Sequence, residues 1–243
     1  TGPQGIGKAT LAWRLARFLL AKPPMTDGGG LFGAPPPPAS LDIDPDHPVA
    51  RRMRAGSEPR LSVLRRSVQE RTGRLSQDIR IEDVRRLRRF FGLSAADGGR
   101  RGVIVDAADD MNTNAANALL KVLEEPPEAA LLLLLAHQPS RLLPPLRSRC
   151  RVLRCAPLAS PDLDQALGQA GISPGDPAML AALAGGSVGA AVRLEAEGGA
   201  AIYSDLLALL GGLPRLNRAA IQALAASAQG RNAAARLSLI LDL

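Results

Sequence analysis

The chain has 243 residues, 46% of them hydrophobic and 22% charged, enough to bury one good core and, more comfortably, a smaller second one. Its net charge of +7 is carried almost wholly by arginine, with lysine only at Lys8, Lys22 and Lys121. This permits contact with an anionic polymer, while 2% aromatics argue against base stacking as the main mode. No apolar run reaches the roughly 18–20 residues of a bilayer span; the run Leu131 to Ala136 suits a buried strand, so no membrane association is expected.

The chain opens inside a glycine loop, on Thr1 rather than an initiator Met, and closes on Leu237, Ile240, Leu241 and Leu243, which read as a helix still running. The interior of a longer protein is therefore expected. Lys8 to Ala21 reads as a helix with Leu11, Leu15, Phe18 and Leu19 on one face and Pro23-Pro24 as its stop. From Lys22 to Glu58, Gly-Gly-Gly, four prolines (Pro35 to Pro38) and scattered Asp predict a loop or disordered insertion with no place in a core. Leu61 to Leu64 is a short strand, and Glu70 to Gly73 a turn. A helix from about Glu82 turns Val84, Leu87, Phe90 and Phe91 inward and Arg85, Arg86, Arg88 and Arg89 outward.

Val103 to Val105 is a second strand ending in Asp106, Asn112 to Glu125 a helix closed by Pro126-Pro127, and Leu131 to Leu135 a third strand covered on both faces. Val152 and Leu153 make a fourth short strand. This alternation predicts a parallel sheet flanked by helices, an α/β part covering residues 1–157 with the insertion at 22–58. Thereafter strands stop. Ser160 as N-cap with Pro161 behind it starts a helix that Gly171 closes. Further helices follow at about Pro177 to Ala184, Ser187 to Glu195, Ala200 to Leu210, Arg215 to Ala228 and Asn232 onward.

Gly2-Pro3-Gln4-Gly5-Ile6-Gly7-Lys8-Ala9 nearly matches the phosphate-binding loop G-x-x-x-x-G-K-[ST]. Its glycines let backbone N–H groups converge on phosphate oxygens, the following helix adds its dipole, and Lys8 reaches the outer phosphates. The final hydroxyl is missing: Ala9 cannot hold Mg²⁺, and Thr10 lies about 100° further round the helix. An apolar strand ending in Asp106 is where such proteins hold Mg²⁺ through its water shell, and in many the next residue is a Glu that orients the attacking water. Here it is Ala107. Asp109 and Asp110 read as charge near the next helix N-terminus. Gly2, Gly5, Gly7, Lys8, Thr10 and Asp106 thus form a degenerate nucleotide site that has lost the two groups hydrolysis most needs. Passive retention of ATP or ADP stays open. Cys150 and Cys155 with His47 and His137 lack zinc spacing, no metal ligands are assigned, and two thiols without a signal-type segment make a reducing cytoplasm the default.

Asn117-Ala118-Leu119-Leu120-Lys121-Val122-Leu123-Glu124-Glu125-Pro126-Pro127, followed by Arg147-Ser148-Arg149-Cys150, resembles the bacterial clamp-loader branch of the AAA+ ATPases, and most nearly its delta prime members. The resemblance runs from Thr1 to about Arg193. It implies a P-loop AAA+ α/β domain, a small helical lid (158–197) and the start of an all-α collar (198–243), in a bacterial, cytoplasmic component of DNA polymerase III. It implies that Arg149 is an arginine finger offered in trans to the ATP of a neighbouring subunit, with Arg147 and Arg151 as the nearest alternatives. Implied partners are gamma/tau and delta subunits in a hetero-oligomeric ring and, through it, the sliding clamp and primed DNA. Departures from active members (Ala107, Ala136-His137-Gln138, and Val188-Gly189 after Gly186-Ser187, with Arg193 five residues on) point to a subunit without ATPase activity of its own. The other reading is an active gamma/tau-type motor. Relatives often carry a four-cysteine zinc module after the first helix; residues 22–58 contain no cysteine, so no zinc is expected there. Some of Arg51, Arg52, Arg54 and the Arg85 to Arg89 group could meet DNA phosphates; a solvated basic face is the simpler reading.

Overall fold

A computed structural model of the protein describes residues 1–22, 38–69, 73–92, 99–215, 217–229 and 233–243. Contacts divide it into two units, one formed by Thr1–Gly2 with Lys8–Cys155 and the other by Pro3–Gly7 with Ala156–Leu243. The first holds α1 (Lys8–Ala21), α2 (Pro48–Arg54), β1 (Leu61–Leu64), α3 (Ile81–Gly92), β2 (Arg101–Val105), α4 (Thr113–Glu124), β3 (Ala130–Leu134) and α5 (Pro144–Ser148). The second holds α6 (Ser160–Gln169), α7 (Pro177–Ala184), α8 (Val188–Ala196), α9 (Gly199–Gly211), α10 (Arg218–Ser227) and α11 (Ala233–Asp242). Among the described residues no helix is long and apolar enough to cross a membrane.

The strands lie in the order β1-β2-β3, both pairs parallel, with Leu64 opposite Val105 and Val105 opposite Leu134. All five residues of β2 are buried. Alternation sends Ile104 into a cluster with Ala12, Ala16 and Leu20 of α1 and Val49 and Met53 of α2. Val103 and Val105 go the other way, against Leu87 of α3 and Leu119 of α4. The result is the expected parallel sheet with a helical layer on each face.

Several details depart from expectation. The buried row of α1 is Ala12, Ala16 and Leu20, spaced four apart, while Leu11, Leu15 and Leu19 flank it half-buried. Two alanines let the helix axis approach the sheet, and the leucines fill the sides. The segment expected to have no core role contributes α2, where Val49, Ala50 and Met53 are buried and His47 caps the helix by accepting from Val49 N. Three apolar residues sufficed to recruit it; residues 23–37, including Pro23-Pro24 and most of the proline run, lie outside the described residues, as do 70–72 of the expected turn. β3 is only half-buried along its length, because it is the edge strand of the described sheet. Val152 and Leu153 are not a strand and are 54% and 63% exposed. That segment does pair once: Thr1 N donates to Leu153 O at 2.7 Å and Cys155 N donates to Thr1 O at 2.8 Å. In the helical unit Ala159, not Ser160, is the N-cap of α6, with Pro161 in the first turn and Gly171 beyond the end at φ 73°. Leu163, Leu194, Ile202 and Leu239 share one core there, joining α6, α8, α9 and α11.

Two buried charges tie the sheet to its surroundings. Arg101, 8% exposed, donates through Nη1 to the carbonyls of Phe90 (2.6 Å) and Phe91 (3.0 Å), satisfying acceptors that the end of α3 leaves without helical partners. Glu58 sits just before β1 and accepts from Arg60 Nε at 3.0 Å and Arg52 Nε at 2.9 Å. Burial alone would raise its carboxyl pKa, but the hydrogen bonds from Arg60 and Arg52 outweigh burial and hold it below the ordinary value. Such a carboxylate stabilises the fold above its unfolded pKa, and that contribution fades as pH falls through the folded value. Glu58→Gln is therefore expected to lower stability at pH 7 by about 1–2 kcal/mol. In thermal or denaturant unfolding, the gap to the parent should close below about pH 4; a gap of equal size at pH 7 and pH 3 contradicts this role.

Candidate functional site

The glycine loop is built as its sequence implies. Gly5 and Gly7 adopt φ of 80° and 92°, which L side chains rarely take, and the loop feeds directly into the first residue of α1. That residue, Lys8, is 5% exposed, and its Nζ donates to Gly2 O at 2.7 Å. Burial holds the Lys8 ammonium below the ordinary lysine pKa, with Cys155, Asp109 and Asp106 acting in the opposite direction. Gly2 N donates to Ala136 O at 3.2 Å, fixing the start of the loop just past β3. Ala9 is half-buried and has no hydroxyl, and Thr10 is exposed.

The carbonyl side of the loop is engaged by α8. Ser187, the N-cap of that helix, accepts from Ala190 N at 3.2 Å and donates through Oγ to Gln4 O at 3.1 Å. Gly189 N donates to Gly5 O at 2.8 Å. The backbones approach so closely that a Cβ on Gly5 would fall 2.4 Å from Ser187 Oγ, and one on Gly189 would fall 2.8 Å from Gly5 Cα. This contact is why Pro3–Gly7 group with the helical unit. Sequence reasoning missed it; the signal was a second glycine, Gly189, in the first turn of a helix, where glycine is otherwise unfavourable. Arg193 is directed elsewhere, pairing its Nη2 with Asp242 Oδ2 of α11 at 3.1 Å.

At the carboxyl end of the sheet, Asp106 and Ala107 follow β2 and His137 follows β3. They line a cavity of about 630 Å³ with Arg65, Arg66 and Asp110. Ligands of open parallel sheets bind in this region. Ala107 is buried, with no carboxylate to activate water. His137 Nδ1 is enclosed without a hydrogen-bond partner among the described residues. Asp109 does not act as charge near a helix start. Its buried carboxylate accepts from His137 N at 3.0 Å and Gln138 N at 2.8 Å, clamping the turn after β3. Asp110 pairs with Arg66 at 3.1 Å, and the cap of α4 is Asn112, which accepts from Ala115 N.

Arg149 lies away from this cavity, as the C-cap of α5. Its side chain is 39% exposed, with Nη1 donating to Pro145 O at 3.2 Å and Nη2 to Glu124 Oε1 at 2.9 Å. Arg147 and Arg151 are also exposed, without side-chain hydrogen bonds or ion pairs among the described residues. Cys150 is half-buried, and burial raises its thiol pKa. A separate groove of about 300 Å³ between α3 and α4 carries Arg85, Lys121, Asn114 and Asn117, with no acidic residue in its lining.

The loop geometry separates two glycines. Gly5→Ala meets both an unfavourable φ and Ser187 Oγ, whereas Gly7→Ala meets the φ alone, with nothing within 4 Å of the added carbon. Gly7→Ala is expected to cost about 1 kcal/mol of stability and Gly5→Ala about 2–3. Equal losses in thermal unfolding would contradict the close approach of α8.

A family model described as DNA polymerase III, delta subunit, matches residues 1–159. The DNA polymerase III subunit delta' of Pseudomonas aeruginosa is 39% identical over 202 residues, covering 81% of this chain and 55% of that protein. That of Escherichia coli is 32% identical over 155 residues, covering 63% and 40%. The replication factor C small subunit of Staphylothermus marinus is 38% identical over 61 residues, covering 25% and 18%. The chain spans about half the length of the first of these relatives and less of the others. The matched region contains the glycine loop, the strand ending in Asp106 and the Arg149 segment, and the chain belongs to the DNA polymerase III delta-subunit family.

Proposed function

We propose that this chain is the main part of a delta prime-type subunit of the bacterial sliding-clamp loader, without ATPase activity of its own, that presents Arg149 to ATP held by a neighbouring subunit. The observation that carries this reading is an asymmetry of charge placement. The chain's own phosphate-loop motif ends on Ala9, and Ala107 stands after β2 where a water-orienting carboxylate would be, while an arginine at the end of a short helix projects to the surface. A guanidinium set against a γ-phosphate neutralises charge as the phosphoryl group leaves, and it acts equally well from an adjacent subunit.

In this reading α6 to α8 form the lid and α9 to α11 begin a collar that joins gamma/tau and delta subunits in a ring in the bacterial cytoplasm. The degenerate loop, with Gly2, Gly5, Gly7, Lys8, Thr10 and Asp106 around it, holds ATP or ADP passively at most and needs no zinc. The complex serves the sliding clamp and primed DNA, to whose phosphates the α3–α4 groove with Arg85 and Lys121 offers sequence-blind contacts. An active gamma/tau-type motor is disfavoured by Ala9 and Ala107. Hydrolysis of MgATP by the isolated full-length subunit is expected at background; turnover above it would restore the motor reading.

In the reconstituted complex, Arg149→Ala is expected to leave assembly intact and to slow hydrolysis at the neighbouring site on the order of 10³-fold. Unchanged DNA-stimulated turnover would remove the finger assignment, and loss of assembly would make Arg149 an interface residue instead.

A further inference from the structure

Arg149 does not reach the surface unsupported. Pro145, one helical turn earlier on α5, takes one hydrogen bond from Nη1, and Glu124, the last residue of α4, takes one from Nη2. A guanidinium has five N–H donors and no acceptor, so these two anchors leave three donors for a ligand. The ion pair is solvent-accessible on both sides, at 39% and 49% side-chain exposure, and pairs of that kind add little to fold stability. Its effect falls instead on the conformational freedom of a long side chain. Two acceptors, a backbone carbonyl on α5 and a carboxylate on α4, restrict the plane and direction of the guanidinium before any phosphate arrives, so less freedom is lost when it engages. Arg147 and Arg151, two positions away on either side, have no such anchor among the described residues.

We infer that Glu124 is a positioning residue for Arg149, aiming its free N–H donors outward for the neighbouring triphosphate. The inference rests on the finger reading above and adds to it a residue that touches no substrate. It also ties the Leu-Glu-Glu-Pro-Pro block to the Ser-Arg-Cys segment physically, since the carboxylate of the first is the acceptor for the arginine of the second.

The test is single-turnover and steady-state ATP hydrolysis by the reconstituted complex carrying Glu124→Ala, Glu124→Gln, Arg149→Ala or Glu124→Ala with Arg149→Ala. Glu124→Ala is expected to lower kcat about three- to tenfold with KM for ATP and the thermal midpoint unchanged. Glu124→Gln, which keeps an Oε1 acceptor, should recover most of that loss. In the Arg149→Ala background Glu124→Ala should have no further effect. If Arg149→Ala is severe while Glu124→Ala equals or exceeds the parent, the finger stands and the positioning role is overturned, the pair then being neutral or a parked state. If neither substitution affects turnover, both readings fall. A loss in Glu124→Ala that persists in the Arg149→Ala background, or that comes with a lowered thermal midpoint, would mean a structural role and would also overturn the inference.

Discussion

The rest of the structure depends on β2 being buried along its whole length. A strand with no solvent-facing residue must be covered on both faces, so Ile104 draws in α1 and α2 while Val103 and Val105 draw in α3 and α4. Because the neighbouring strands are parallel to it, the ends of all three strands fall at one edge. Asp106 and Ala107 therefore meet His137 there, although His137 is distant in sequence. The same constraint brings Asp109 under the turn after β3, where its carboxylate takes the N–H groups of His137 and Gln138. A group placed where catalytic carboxylates gather is used here as a structural clamp.

The glycine loop has the backbone form of a phosphate-binding device. Its positive-φ glycines, its buried lysine and the helix behind it all persist. Its carbonyl groups bond to the first turn of α8 through Ser187 and Gly189, two small residues that permit backbone contact. These glycines suit close approach of another piece of backbone, which makes the loop a packing element of the helical unit.

Much of this was legible in the residues, and the failures have physical causes. Three strands and the order of the helices followed from apolar periodicity and from Gly and Pro punctuation, because those signals are local. The second helix was not: Pro48–Arg54 lies in a composition that reads as disorder, and only the docking of Val49 and Met53 against α1 makes it part of a core. The expected fourth strand failed because Val152 and Leu153, though apolar, form no ladder and stay exposed. At the candidate site, spacing singles out Gly5, Gly7 and Lys8, and the end of an apolar strand singles out Asp106. Arg149 was found only through its resemblance to known relatives, since an exposed arginine at a helix end has no distinctive local pattern. The Arg149–Glu124 pair and the partners of Asp109 were invisible because each joins residues 25 to 29 positions apart, and no sequence period reports such pairs.

The donation of a cation to a neighbour's triphosphate is tested most directly by a structure of the assembled loader with a transition-state analogue of ATP. The guanidinium of Arg149 is expected within roughly 3 Å of the terminal phosphate group bound by the adjacent subunit, the distance of a charge-assisted hydrogen bond. Arg149 lying on an outer surface, with another residue occupying that position, would contradict it.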